Sequence, residues 1–148
     1  KKSLLDKIKS NDIGSYLTLE ILESEKVSNF NIVNDFINEV KKYGVKIAID
    51  DFGSGFSNYE NILNLDIDYI KIDGSLIKRI SEETYLNLIK SIVLFSKKQN
   101  IKVIAEYVSD LKILRYVKNI EIDYSQGYHI GKPMSIQELF GDKNWKNN

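Results

Sequence analysis

Short runs of β-branched and aromatic residues alternate with amphipathic stretches along the whole of this chain. SYLTLE at 15–20 is the first such run. Residues 28–43 then predict a helix, capped by Ser28 or Asn29, with Phe30, Val33, Ile37 and Val40 on one face and Gly44 to stop it. A second strand is expected over VKIAID at 45–50. It leads into the glycine-containing turn DFGSGF and a short helix opening on the capping box Ser57-Asn58-Tyr59-Glu60. DYIKID at 68–73 reads as a third strand. The helix after it starts with Ser81, Glu82 and Glu83 and ends near Lys97 and Lys98, charges that suit its macrodipole. IKVIAEY at 101–107 is the fourth strand, and Asp110 caps a helix through Val117. IEIDY at 120–124 is a fifth, weaker strand, followed by QGYHIGKP. Residues 1–14 read as a helix or loop leading in, and 136–148 as a C-terminal tail with the polar end GDKNWKNN.

Alternation of this kind argues for an α/β fold with parallel strands and right-handed crossovers, either an open doubly wound sheet or part of a (β/α) barrel. A complete barrel has eight units and about 250 residues. This chain has about five units in 148 residues, all in one domain. No low-complexity segment, linker or short repeat stands out beyond the alternation itself. The chain begins at Lys1 and its one methionine is Met134, which reads as a piece of something longer.

Composition then narrows the partners. Lys+Arg and Asp+Glu balance at 21 each, so no global field favours a nucleic-acid polymer or a membrane surface. An anionic ligand would have to be held by local groups. With no cysteine, disulfides, zinc–thiolate sites and iron–sulfur clusters are excluded, and a cytoplasmic setting is expected. No apolar run approaches the ~20 residues of a membrane span, and KKSLLDKIKS lacks a signal-peptide core.

The candidate chemistry lies in where the acids fall. Four successive apolar runs end in a carboxylate: Glu20, the Asp50-Asp51 pair, Asp73 and Glu106. In a parallel β/α sheet the C-terminal strand ends share one rim, so these acids are expected to converge. Convergent carboxylates resist ionising together, and either a cation or a shared proton relieves them. Hard oxygen ligands with a single histidine favour Mg²⁺ or Mn²⁺ over zinc or copper. Asp50 and Asp51 are adjacent, so both reach one site only where the strand breaks, and Phe52-Gly53-Ser54-Gly55 supplies a break. Taken singly, Glu20, Asp73 or Glu106 reads better as a helix cap or a lysine partner, and it is the pattern shared by four strands that points to a site. Lys71 lies in the apolar strand YIKID and by alternation faces the same way as Asp73. It is either a lysine satisfied by neighbouring carboxylates or a charge that binds phosphate or orients water. Gln126-Gly127-Tyr128 would sit on the same rim, and His129 reads as surface or core filler.

LTLEILESE, IAIDDFGSGFSNYENILNLDIDYIKIDGSLI, VIAEYVSD and IDYSQGYHIGKPMS resemble the successive motifs of EAL domains, over roughly residues 15–135. The resemblance implies a partial (β/α) TIM-type barrel. It also implies hydrolysis of cyclic-di-GMP to the linear dinucleotide with two Mg²⁺ or Mn²⁺ ions. Carried over by position, Glu20, Asp50, Asp51 and Glu106 resemble the metal-site acids, with Glu106 also at the water. Lys71 resembles the lysine that helps activate that water, and Gln126 the glutamine that positions it. Glu23 resembles the glutamate that holds the following loop. Gly53, Ser54 and Gly55 fall in the loop that couples dimerisation to activity, and Asp73 takes a supporting place.

The departures shape the expectations. The Glu-Ala-Leu strand and the next strand, with its metal-binding asparagine, are absent and would precede Lys1 in an intact domain. Where the family usually has Ala-Glu-Gly-Val-Glu, this chain has Ala105-Glu106-Tyr107-Val108-Ser109. The isolated chain is therefore expected to be inactive, with a degenerate cyclic-di-GMP receptor or interaction module as the alternative. A Schiff base on Lys71, as in aldolases, would leave the aspartate pair unexplained; borohydride trapping with a carbonyl substrate tests it. An open edge at 15–20 predicts a homodimer or strand-exchanged oligomer, against which a clean monomer in light scattering would count. An upstream sensor or GGDEF domain, or a membrane anchor through upstream segments, is compatible with this reading.

Overall fold

The computed structural model describes residues 2–22, 30–54 and 59–140. Helix α1 (Lys2–Asn11) and a 3-10 turn (Gly14–Tyr16) lead into strand β1 (Thr18–Leu22). Helix α2 (Phe30–Lys41), strand β2 (Lys46–Phe52), helix α3 (Tyr59–Leu63) and strand β3 (Tyr69–Ile72) follow. After α4 (Gly74–Ile77) and the long α5 (Glu83–Lys98) come β4 (Lys102–Ala105), α6 (Leu111–Asn119), β5 (Tyr124–Ser125) and α7 (Ile136–Phe140). The strands form one parallel sheet in the order β1-β2-β3-β4-β5. Space follows chain order with no reversal, so a doubly wound sheet is ruled out and a run of barrel units remains. No helix among the described residues is long and apolar enough to cross a membrane.

The two faces of this sheet differ. Leu19, Ile21, Ile47, Ile49, Ile70, Ile72, Val103 and Ala105 join one core with Ile8, Ile37, Val40, Ile62, Ile89, Ile92, Ile113 and Val117 from the helices. The alternate positions Glu20, Ala48, Asp50, Tyr69, Lys71, Ile104 and Tyr124 belong to no part of that core. Period-two alternation therefore separates an apolar face under the helices from a mixed face that carries the charges. On that second face Tyr69 and Tyr124 meet edge to face, their ring centroids 6.1 Å apart.

Element ends moved where local chemistry overrode the apolar pattern. β1 starts at Thr18 because Gly14–Tyr16 turn first, and it runs on to Leu22, leaving Glu20 inside the strand. α5 begins at Glu83, not Ser81, with Glu82 at the cap position and no side-chain cap bond. β5 shrinks to two residues because Ile120 still closes α6 and Glu121 is left-handed (φ 58). Two helices went unforeseen. Asp73 nucleates α4, and α7 opens on a capping box in which Ser135 N donates to Glu138 Oε2 (2.6 Å) and Glu138 N to Ser135 Oγ (3.2 Å). The expected caps Ser28 or Asn29 and the box residues Ser57 and Asn58 lie outside the described residues.

The fold also reveals a repeat. Asp68, just before β3, accepts from Ile47 N and pairs with Lys46 Nζ, both at 2.9 Å. Asp123, just before β5, accepts from Val103 N at 2.9 Å and pairs with Lys102 Nζ at 2.7 Å. VKIAID with IDY thus recurs as IKVIAE with IDY, and each aspartate ties the start of one strand to its neighbour. Burial opposes ionisation of Asp68, but the Lys46 ammonium, the Ile47 amide and Lys41 outweigh it and hold the carboxyl below its usual range. Lys102 and the Val103 amide do the same for Asp123 against burial. A depressed carboxyl contributes stability that is full above its unfolded value near pH 4 and is lost as pH falls through the folded value. The urea midpoint is therefore expected to hold from pH 7 to about pH 5 and to drop towards pH 3, with a shallower drop in D68N. Equal slopes for the two proteins would show that this clamp is not ionised differently on folding.

Candidate functional site

Four elements deliver their charges to the mixed face. Register sets Leu22 beside Asp50 and Lys71 beside Ile104, so Asp50, Lys71 and Glu106 gather towards the C-terminal strand ends, and Glu20 reaches them from the middle of β1. Lys71 is 6% exposed. Its Nζ lies 2.7 Å from Asp50 Oδ1, 2.9 Å from Glu106 Oε1 and 3.0 Å from Glu20 Oε1. Burial alone would push this amine towards neutrality, and it is the largest single influence on it. Asp50, Glu106 and Glu20 together outweigh burial and hold the ammonium well above its ordinary range. Lys71 is thus the internal counter-ion of a carboxylate cluster.

Asp51 reaches this cluster through a bulge. The β2–β3 register shifts between Ile49 and Phe52, and Asp51 takes a left-handed φ of 55. The break expected at Phe52–Gly55 therefore begins earlier, at Asp51 itself, and Phe52 returns to the buried face opposite Ile72. One carboxylate oxygen each from Asp50, Asp51 and Glu106 lie within 4.8 Å of one another. Asp50 Oδ1 is buried, and among the described residues the Lys71 ammonium at 2.7 Å is the partner it has. Three carboxylates with hard oxygens, outnumbering the one ammonium that faces them, fit a divalent cation such as Mg²⁺ or Mn²⁺.

The other predicted residues divide. Gln126 extends the β4–β5 pairing, its N–H donating to Ala105 O (2.8 Å) and its carbonyl accepting from Val108 N (2.9 Å). It lines a cavity with Glu106. Asp73 does not join the acids, because β3 ends at Ile72 and alternation with Lys71 stops there. Its carboxylate accepts from Ser75 N at 2.9 Å and caps α4. Burial opposes its ionisation, and the Ser75 and Gly74 groups outweigh it, so its carboxyl sits below the usual range. Gly53 and Ser54 form the turn after β2, Gly53 at φ 91 against Leu76 and Ser54 N donating to Asp51 O. Glu23 and Gly55 lie outside the described residues. His129 is exposed and donates its backbone N–H to Val108 O.

The repeat extends to the rim: Asp50 is followed by left-handed Asp51, and Glu106 by left-handed Tyr107 (φ 54). Aspartate tolerates that conformation, but for a bulky residue it costs about 1–2 kcal/mol. The family model described as EAL domain matches residues 2–133.

This chain belongs to the EAL-domain family. The cyclic di-GMP phosphodiesterase PdeA of Borreliella burgdorferi is 46% identical over 121 residues, covering 81% of this chain and 18% of that protein. The cyclic di-GMP phosphodiesterase PdeF of Escherichia coli K12 is 36% identical over 127 residues, covering 85% and 17%. Klebsiella pneumoniae BlrP1, solved as a manganese/cy-diGMP complex, superposes with a TM-score of 0.77 at 26% identity, covering 86% of this chain and 33% of that one. This EAL domain chain thus spans under a fifth of the length of the two curated relatives. The resemblance puts glycine where it carries Tyr107, and the positive φ gives the reason: glycine takes that backbone conformation at no steric cost.

Proposed function

We propose that the protein carrying this chain hydrolyses cyclic-di-GMP to the linear dinucleotide with two Mg²⁺ or Mn²⁺ ions, and that this chain supplies one wall of the site. The observation that carries the reading is the cluster of Glu20, Asp50 and Glu106 around Lys71, with Asp51 brought alongside by the bulge. Divalent cations at these carboxylates would offset the charge of the phosphodiester and acidify the attacking water. Glu20, Asp50, Asp51 and Glu106 are the ligands that would hold them. Lys71, protonated and within 3.0 Å of three of those carboxylates, fixes their orientation and keeps a proton beside the water's place. Gln126, which lines a cavity with Glu106, would orient that water.

The chain alone is expected to bind Mn²⁺ but to leave cyclic-di-GMP intact, because residues 1–148 hold no counterpart of the Glu-Ala-Leu glutamate or the family's asparagine. Mn²⁺ titration followed by electron paramagnetic resonance should show binding that D50N removes, while chromatography finds no linear product. Failure to bind Mn²⁺ would sink the metal reading. Turnover would show that these carboxylates suffice by themselves. Adding a polypeptide with the Glu-Ala-Leu strand is expected to start hydrolysis.

A receptor is the second reading, supported by strained Tyr107 beside Glu106 and by Ser109 in place of an acid. It predicts binding that persists without turnover even in that mixture. β1 has β2 as its one strand neighbour among the described residues, which supports the expected self-association through that edge.

A further inference from the structure

Next to the acid cluster the rim opens into a cavity of about 630 Å³, lined in part by Lys78, Glu106, Tyr107, Ser109, Gln126 and Tyr128. Its volume lies in the ordinary range of small-molecule sites. Glu106 is the one residue it shares with the carboxylates around Lys71. A ligand whose phosphodiester sits on the acids would therefore extend past Glu106 into this space.

Tyr107 dominates that wall. Its left-handed backbone is disfavoured for a tyrosine, yet three features hold the ring where it is. Gly74 allows the approach, since a Cβ there would lie 2.8 Å from the Tyr107 Cβ. Val108, fully buried next to it, is tied on both sides by Gln126 O and His129 N. Lys78 sets its ammonium 3.9 Å from the centre of the ring. Tyr107 nonetheless stays 51% exposed. A cation over an aromatic ring draws density from it and strengthens stacking with an electron-rich flat partner. Gln126 brings a donor and an acceptor to the same cavity, while the hydroxyls of Ser75 and Ser109, which donate to Asp73 and Asp110, leave acceptors there. A pyrophosphate or simple anion would leave the aromatic wall unused. A purine ring uses all of it.

We propose that Tyr107, backed by Lys78, is a specificity-determining residue that stacks a purine base of the nucleotide whose phosphodiester rests on the acid cluster. The inference rests on the reading of the cluster as a cyclic-dinucleotide site. It assigns the base contact to a residue where this chain departs from the family pattern.

The test is calorimetric titration of this chain with cyclic-di-GMP in Ca²⁺, for the wild type, Y107G, Y107F and K78M. Loss of one stacked base is worth roughly tenfold or more in affinity. Y107G is therefore expected to raise Kd about tenfold or more, Y107F to recover binding to within about threefold, and K78M to fall between them. Glycine accepts φ 54, so Y107G should melt no lower than the wild type, and its Mn²⁺ binding should be unchanged. An unchanged Kd in Y107G overturns the inference and leaves the proposed function standing. So does a loss of Mn²⁺ binding in step with the nucleotide, which would put the effect on the acids. A wild type that binds Mn²⁺ but no cyclic-di-GMP overturns the inference for this chain and leaves the proposed function, in which it supplies one wall of the site, standing.

Discussion

Lys71→Met is expected to destabilise the chain by about 3 kcal/mol in the presence of a chelator, and Mn²⁺ is expected to restore much of the loss. Removing one partner of a buried ion pair leaves charge without compensation. Here the charge left behind is that of three carboxylates, and the Asp50 and Glu106 side chains are only 18% and 19% exposed. Methionine matches the length of the lysine stem and fills the apolar part of the space, so the loss reports charge more than cavity. For a chain of this size such a loss lowers the melting temperature by roughly 6–12 °C. The sign of the pH dependence follows from the raised pKa of Lys71. A raised ammonium contributes fully below its unfolded value of about 10.4 and is lost only as pH rises through the folded value. The gap between wild type and variant should therefore be flat from pH 6 to pH 9. Equal urea midpoints with chelator present would show that the carboxylates do not depend on Lys71.

Gly127→Ala is the second large effect, expected to cost about 2–4 kcal/mol. Gly127 has φ 153, a conformation that favours glycine. A Cβ there would collide with the backbone N and O of Val108 and lie 2.8 Å from its carbonyl carbon. Those atoms cannot step aside cheaply, because Val108 N donates to Gln126 O at 2.9 Å and Val108 O accepts from His129 N at 3.0 Å. Relief would mean breaking one of these bonds and shifting Gln126 off the rim. Gly131→Ala is the control, since nothing lies within 4 Å of its added Cβ, and it should change stability by less than about 0.5 kcal/mol. A similar urea midpoint for both variants would mean that the turn after β5 yields more easily than its hydrogen bonds imply.

These two positions show different degrees of legibility. Lys71 could be picked out as a charge in an apolar strand, and the structure shows the first of the two alternatives open at that point. It is satisfied by carboxylates, and those are three of the acids picked out from the sequence, Glu20, Asp50 and Glu106. Gly127 drew notice only as part of a turn, because the atoms it must avoid belong to Val108, in the segment that follows β4.

Strand–helix alternation, the parallel sheet and the acids at Glu20, Asp50, Asp51 and Glu106 could be read from the linear pattern. Period-two burial and strand-end chemistry are local properties, written within a few residues of each other. Asp73 carried the same local signature and still left the group, because hydrogen bonds to Ser75 outcompeted one more step of strand. The bulge at Asp51, the left-handed Tyr107 with Lys78 over its ring, and the matching clamps of Asp68 and Asp123 came from the folded chain alone. Each joins residues on different elements, and which of several local preferences prevails is settled by the packing between them.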